Sequence, residues 1–216
     1  MKIKELITES DMAPSLDREM QAKGYKDLGS GIDQTAYLEP ETGMVLKIFG
    51  SMGGRGQYSD ALTPSQKTFK VYADYCMANP NNPFLPQFEG WERFVWDERF
   101  YLQIRMERLF GFDNRQWGVV LEELARGARL GNEPWRKERF LNENITGEEN
   151  PWNPGASEGL LSHLGMDGFN LLWDTITELQ QIAIKHGWRL DLHDQNFMLG
   201  SDGEIVISDP FWSGQG

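Results

Sequence analysis

Short apolar runs broken by glycine and proline fill the first half of the chain. Leu28, then Thr35-Ala36-Tyr37-Leu38, then Val45-Leu46-Lys47-Ile48-Phe49 read as strands. Gly29-Ser30-Gly31 separates the first two, and a turn at Glu39-Pro40-Glu41-Thr42-Gly43 makes the last two an antiparallel pair. Residues 50–60, with Gly50, Gly53, Gly54 and Gly56, predict a mobile loop, since glycine adds backbone freedom and no packing. A helix then follows Thr63-Pro64. Phe69, Tyr72, Ala73 and Cys76 recur there at the spacing of one buried face, and Asn79-Pro80-Asn81-Asn82-Pro83 stops it. Residues 91–96 and 100–106, rich in aromatic and branched side chains around Asp97-Glu98-Arg99, predict a hairpin. Ahead of all this, residues 1–23 read as a charged, mostly helical lead-in broken at Pro14 and ended by Gly24, which could be an appendage.

The second half has a longer period. A helix is predicted over 117–128, an irregular segment dense in Gly, Pro and Asn over 131–158, and a long helix over about 168–186. On that helix Leu172, Ile176, Leu179 and Ala183 form a narrow apolar stripe, and Gly187 stands where a left-handed cap is wanted. Two short strands over 197–199 and 204–207, joined at Ser201-Asp202-Gly203, close the chain.

Composition narrows the class. The 216 residues, 39% of them hydrophobic and including eight Trp and twelve Phe, are enough for a packed interior of one domain or two small lobes. Cys76 is the only cysteine, so neither an intramolecular disulfide nor a four-cysteine zinc site can form, which fits a reducing compartment. A net charge of −12 repels phosphate backbones and anionic membranes and argues against nucleic acid as a partner. No apolar run approaches the roughly 20 residues a membrane-crossing helix needs, and Met1-Lys2-Ile3-Lys4-Glu5-Leu6-Ile7 lacks a long signal core. A soluble, cytoplasmic protein with no membrane partner is expected.

The segment Asp191-Leu192-His193-Asp194-Gln195-Asn196, followed after a short hairpin by Asp209-Pro210-Phe211, is the most informative one chemically. A hairpin of that length brings its ends together. Asn196 and Asp209 can then share one hard cation while Asp191 faces a reacting atom. Oxygen ligands without sulfur suit Mg²⁺ bound with substrate phosphates. Lys47 lies within an apolar strand whose neighbours face the other way, a placement compatible with a cleft, and can offer a point charge to phosphates. Taken singly, each of these residues also reads as an ordinary loop or surface residue.

In this order the features resemble the protein-kinase-like superfamily, which includes protein kinases and small-molecule phosphotransferases such as aminoglycoside and choline kinases. Gly29-Ser30-Gly31-Ile32-Asp33-Gln34-Thr35-Ala36 resembles the glycine-rich loop with Gln34 in place of its third glycine, and Val45-Leu46-Lys47 the strand carrying the phosphate-binding lysine. Asn82-Pro83-Phe84-Leu85 and the strands up to Met106-Glu107-Arg108-Leu109 resemble the run into the hinge. Asp191 matches the catalytic-loop aspartate, Asn196 the metal-binding asparagine, and Asp209-Pro210-Phe211 replaces the Asp-Phe-Gly metal motif. His193 resembles the small-molecule branch, where an Asp-Leu-His…Asn string is common.

The resemblance implies a bilobal α+β fold. Behind the lead-in 1–24, an N-terminal lobe of antiparallel sheet with one helix spans 25–108, and a reduced, mainly helical C-terminal lobe spans 109–216. It also implies an ATP- and Mg²⁺-dependent phosphotransferase. Gly29, Ser30 and Gly31 would cover the phosphates, Lys47 hold the α/β-phosphates, and the backbone from Glu107 to Leu109 take the adenine. Asn196 and Asp209 would bind Mg²⁺, with Asp191 accepting the proton of the attacking hydroxyl and His193 beside it in the catalytic loop. The acceptor, a hydroxyl of a protein, a sugar, an aminoglycoside or another small alcohol, is left open.

Three departures define the alternative, a catalytically inactive nucleotide-binding or protein-interaction module. The helix after Thr63 has no Glu to pair Lys47, with Asp74 roughly where one is wanted; Gln34 removes a glycine; and the chain ends seven residues beyond Asp209, without an activation segment or later helices. A lower lobe so shortened would expose apolar surface for a dimer or partner chain to cover. Residues 1–9 also resemble the capsid-targeting peptides of tailed-phage internal head proteins, which would imply packaging in a phage head; they read more readily as an ordinary amphipathic helix start.

Overall fold

The computed structural model describes residues 15–30, 34–50, 60–111, 115–129, 134–142 and 154–214. Helix α1 (Leu16–Ala22) leads into strands β1 (Lys26–Ser30), β2 (Gln34–Leu38) and β3 (Val45–Phe49), and helix α2 (Pro64–Ala78) connects these to β4 (Phe88–Trp96) and β5 (Arg99–Met106). The five strands form one antiparallel sheet in the order β1-β2-β3-β5-β4. Because side chains alternate across a strand, Val45 and Phe49 share a face with Leu102, Ile104 and Met106, and this face packs on Phe69 and Ala73 of α2. Helix α2 starts at Thr63, whose hydroxyl accepts the Gln66 N–H while the Gln66 side chain returns to the Thr63 N–H, a capping box that explains why Thr63-Pro64 opens it.

The outer face of the sheet, Tyr37, Leu46, Ile48 and Tyr101, is covered by Met20 of α1. Tyr37 donates to Asp17, and Trp96 Nε1 donates to Glu19 Oε2 at 2.6 Å, so this helix is fastened to the sheet. Between β4 and β5, Trp96 pairs with Arg99 and leaves a two-residue turn at Asp97 and Glu98 with φ of 47° and 59°. Both lie in the left-handed region that favours glycine. Glu98→Gly is therefore expected to raise stability by about 1 kcal/mol, seen as a higher urea midpoint at unchanged slope.

The second half contains α3 (Arg115–Ala128), α4 (Pro134–Phe140) and α5 (Pro154–His186). The segment expected to be irregular over 131–158 thus holds α4 and the start of α5, and the long helix begins well before residue 168. Gly165, with φ 66° and ψ 172°, breaks α5 into two stretches. The predicted stripe Leu172, Ile176, Leu179 and Ala183 is fully buried and packs, with Trp173, in one core with Leu121, Leu124, Ala125 and Ala128 of α3. Four short strands follow: β6 (Arg189–Leu190) pairs with β9 (Phe211–Trp212), and β7 (Phe197–Leu199) with β8 (Ile205–Ile207).

The halves are joined by hydrogen bonds and rings. Ile207 N–H donates to Phe84 C=O at 2.9 Å and the Tyr72 hydroxyl donates to Ile207 C=O, while Phe110, just past the sheet, exchanges backbone bonds with Leu199 at 2.8 and 2.9 Å. The Tyr72 ring stands edge-on to Phe88 and to Phe211, each 6.0 Å away. Among the described residues no helix is long and apolar enough to cross a membrane.

Candidate active site

The two short ribbons β6–β9 and β7–β8 build the floor of a cleft. Residues 191–196 run from β6 to β7, and Ser208, Asp209 and Pro210 run from β8 to β9. Backbone bonds stitch these loops together: Asp191 N–H donates to Pro210 C=O at 2.7 Å, and Ser208 N–H to Asn196 C=O at 2.9 Å. The stitching places Asp191, Asn196 and Asp209 along one wall, as the spacing predicts.

Asn196 Nδ2 donates to Asp191 C=O at 2.5 Å, which fixes the amide and leaves Oδ1 as its acceptor end. His193 caps the single 3₁₀ turn Asp194–Asn196; its Nε2 lies 3.2 Å from Asn196 Nδ2 and 4.0 Å from Asp191 Oδ2. Arg129, which the sequence did not single out, donates to Leu192 C=O at 3.2 Å and sets a positive charge near Asp191.

Burial raises the Asp209 carboxyl to about 6; the Lys47 charge pulls it down, Asp191 pushes it up and His193 pulls it down. Burial likewise lowers the Lys47 ammonium, with Asp209 opposing. The two side chains are thus each other's counter-charge across the cleft, and neither reaches ion-pair distance. Lys47 Nζ stands 4.4 Å from the centre of the Phe69 ring. Helix α2 therefore offers Lys47 an aromatic face and no carboxylate. Asp74, roughly where a partner is wanted, instead binds Lys70 at 2.7 Å and Trp91 Nε1 at 2.8 Å.

The cleft, of about 290 Å³, is lined on its floor by Asp191, His193, Asn196, Asp209 and Trp212 and on its roof by Gln34, Phe49, Thr68 and Phe69. A hard cation fits the floor. Asn196 presents an oxygen, and Asp209 presents a desolvated carboxylate for which no hydrogen-bond donor stands among the described residues. Among the described residues no three His, Cys, Asp or Glu side chains gather as a metal cage, so substrate phosphates and water would complete the shell, as Mg²⁺ prefers.

The remaining predicted residues are placed less directly. Gly29 N–H donates to Asp27 Oδ1 at 2.7 Å and Ser30 Oγ to Thr35 Oγ1 at 3.1 Å; both residues are exposed, and Gly31 lies outside the described residues, as do 51–59 of the predicted loop and 1–14 of the lead-in. Glu107 and Gln87 exchange bonds at 2.8 Å, Glu107 N–H to Gln87 C=O and Gln87 N–H to Glu107 Oε1, while Leu109 packs on the core under the sheet.

No protein-family model and no curated protein matches the sequence. Among solved structures, the chain is similar to a chain of the CAK complex of Chaetomium thermophilum bound to ATP-gamma-S, at 17% identity over 91% of this chain and 50% of that one, with a TM-score of 0.41. It is also similar to a MAP kinase of Leishmania major, at 16% identity over 90% of this chain and 48% of that one, with a TM-score of 0.38. The chain spans about half the length of the kinase chains it matches. Its own topology carries the fold assignment: the strand order, the helix between β3 and β4, and the stitched loops bearing Asp191, Asn196 and Asp209 below Lys47 make this a protein-kinase-like α+β fold.

Proposed function

We propose that the cleft binds ATP with Mg²⁺ and transfers the γ-phosphoryl group to a hydroxyl of a small molecule or protein. The stitched loop pair is the observation that supports this reading most, because a scaffold has no physical need for Asp191, Asn196 and Asp209 side by side. Asn196 Oδ1 and Asp209 would hold the cation, which supplies charge neutralisation at the phosphates when bound. Lys47, on β3 behind the roof, adds a positive charge felt at Asp209. As the acceptor oxygen bonds to phosphorus and the bond to ADP breaks, Asp191 takes the hydroxyl proton. The barrier is lowered by position and by charges already in place.

A thermal-unfolding scan tests the reading before any acceptor is known. At ligand near 100 times Kd, ATP with Mg²⁺ is expected to add about 2.7 kcal/mol, or roughly 5 to 11 °C for a domain of this size. No shift overturns it. A second reading, nucleotide binding without transfer, is favoured by Phe69 standing where a carboxylate partner for Lys47 is wanted; it predicts the same shift with no loss of γ-phosphate to any acceptor.

A further inference from the structure

We propose that the acceptor is a small hydroxy acid built on a ring, with the ring against Trp212, the anionic group at Arg189 and the hydroxyl at Asp191. This rests on the reading of the cleft as an ATP site with Asp191 as the proton acceptor, and it names the class of molecule that completes the reaction.

Alternation along the ribbon β6–β9 puts these three side chains together. Leu190 and Phe211 stand opposite each other and are buried in the core of the second half. Arg189 and Trp212, also opposite each other, therefore share the other face. The ribbon runs on through the bond from Asp191 N–H to Pro210 C=O. Asp191 thus lies on the same face as Arg189, two residues and about 7 Å along the strand.

Trp212 lines the cleft, yet 46% of it is exposed. An indole left in water beside a base gains when an apolar ring covers it. Gly214 has no side chain to do so; a Cβ there would stand 3.9 Å from the indole Cζ3. The Arg189 guanidinium carbon lies 5.4 Å from the centre of the Trp212 ring, and among the described residues no carboxylate pairs with it. A guanidinium stacked on a ring keeps the N–H groups of its edge for a planar partner with two oxygens, such as a carboxylate. The same charge repels a cationic acceptor, which disfavours amino sugars. In the transfer, the acceptor oxygen bonds to the γ-phosphorus as the bond to ADP breaks, and its proton passes to Asp191.

Three probes with one ring and one hydroxyl test the assignment: 4-(hydroxymethyl)benzoate, its neutral amide, and the cationic 4-(aminomethyl)benzyl alcohol. Each is titrated calorimetrically into protein loaded with MgADP, which binds without turnover. Wild type is expected to hold the benzoate about tenfold more tightly than the amide, and the cation least. Arg189→Glu reverses that order. Trp212→Ala weakens all three by a similar factor, about tenfold, because the ring is common to them. A benzoate held no better than the amide, an order untouched by Arg189→Glu, or affinities untouched by Trp212→Ala would overturn the assignment. Wild type that takes up neither MgADP nor MgATP would sink the ATP site as well; wild type that takes up nucleotide but not the benzoate would sink the acceptor alone.

Discussion

Asp191→Asn is expected to cut γ-phosphoryl transfer by about 10² to 10⁴-fold, the usual worth of a positioned general base, while MgATP affinity stays within about twofold. The substitution keeps the shape of the side chain and the Asp191 backbone, whose N–H and C=O hold Pro210 and the Asn196 amide. The floor should therefore stay assembled, and only the proton acceptor is lost. Loss of label from γ-labelled ATP, to water as free phosphate or to a screened alcohol as its phosphate ester, measures the rate; calorimetry measures the affinity. A variant that keeps full turnover would show that Asp191 is not the base. A variant that loses turnover and nucleotide together would show that the side chain holds the loops.

The second large effect belongs to Asp209. The stabilisation by MgATP is expected to lose its Mg²⁺-dependent part in Asp209→Ala. Its pH dependence has a definite sign. The folded carboxyl, raised by burial to about 6 from an ordinary 3.8, keeps a proton that the unfolded chain has already released between those values. The contribution of this group to ligand-free stability is therefore greatest below about pH 4 and falls as pH rises towards 6, by at most about 3 kcal/mol. Cation binding needs the carboxylate, so the MgATP stabilisation grows over the same range. Glu39, held low by Thr42 and then Arg105, slopes the other way, which is why wild type must be read against Asp209→Asn. Parallel melting curves for the two across pH 4 to 7 would refute the buried carboxyl.

Much of this site is legible in the chain because its parts are close in sequence. Asp191, Asn196 and Asp209 flank a hairpin, and a hairpin of that length has little choice but to bring them together. The strands over 35–38, 45–49 and 100–106 show through alternation, and Thr63 and Gln66 announce a helix start. What escaped depends on contacts between distant segments or on runs too short to have a period. Strands β6 and β9 have two residues each. Met20 finds its cover only once Tyr37, Leu46 and Tyr101 share a face. The Pro and Asn residues over 131–158 read as loop, yet Pro134 and Pro154 open α4 and α5, because a proline is at home in the first turn of a helix. The fate of Asp74 could not be read at all, since Lys70 lies one turn away on the same helix but Trp91 arrives from β4.

Tyr72 has a consequence for how the molecule comes apart. Its ring leans on Phe88 of the sheet and on Phe211 close to Asp209, and its hydroxyl is spent on the Ile207 carbonyl of β8. One phenol is thus a rivet through both lobes. Freeing either half strips the other of an aromatic wall and orphans a buried carbonyl, so the two denature as a single cooperative unit, and the amides of β8 meet solvent deuterium only when the whole molecule opens.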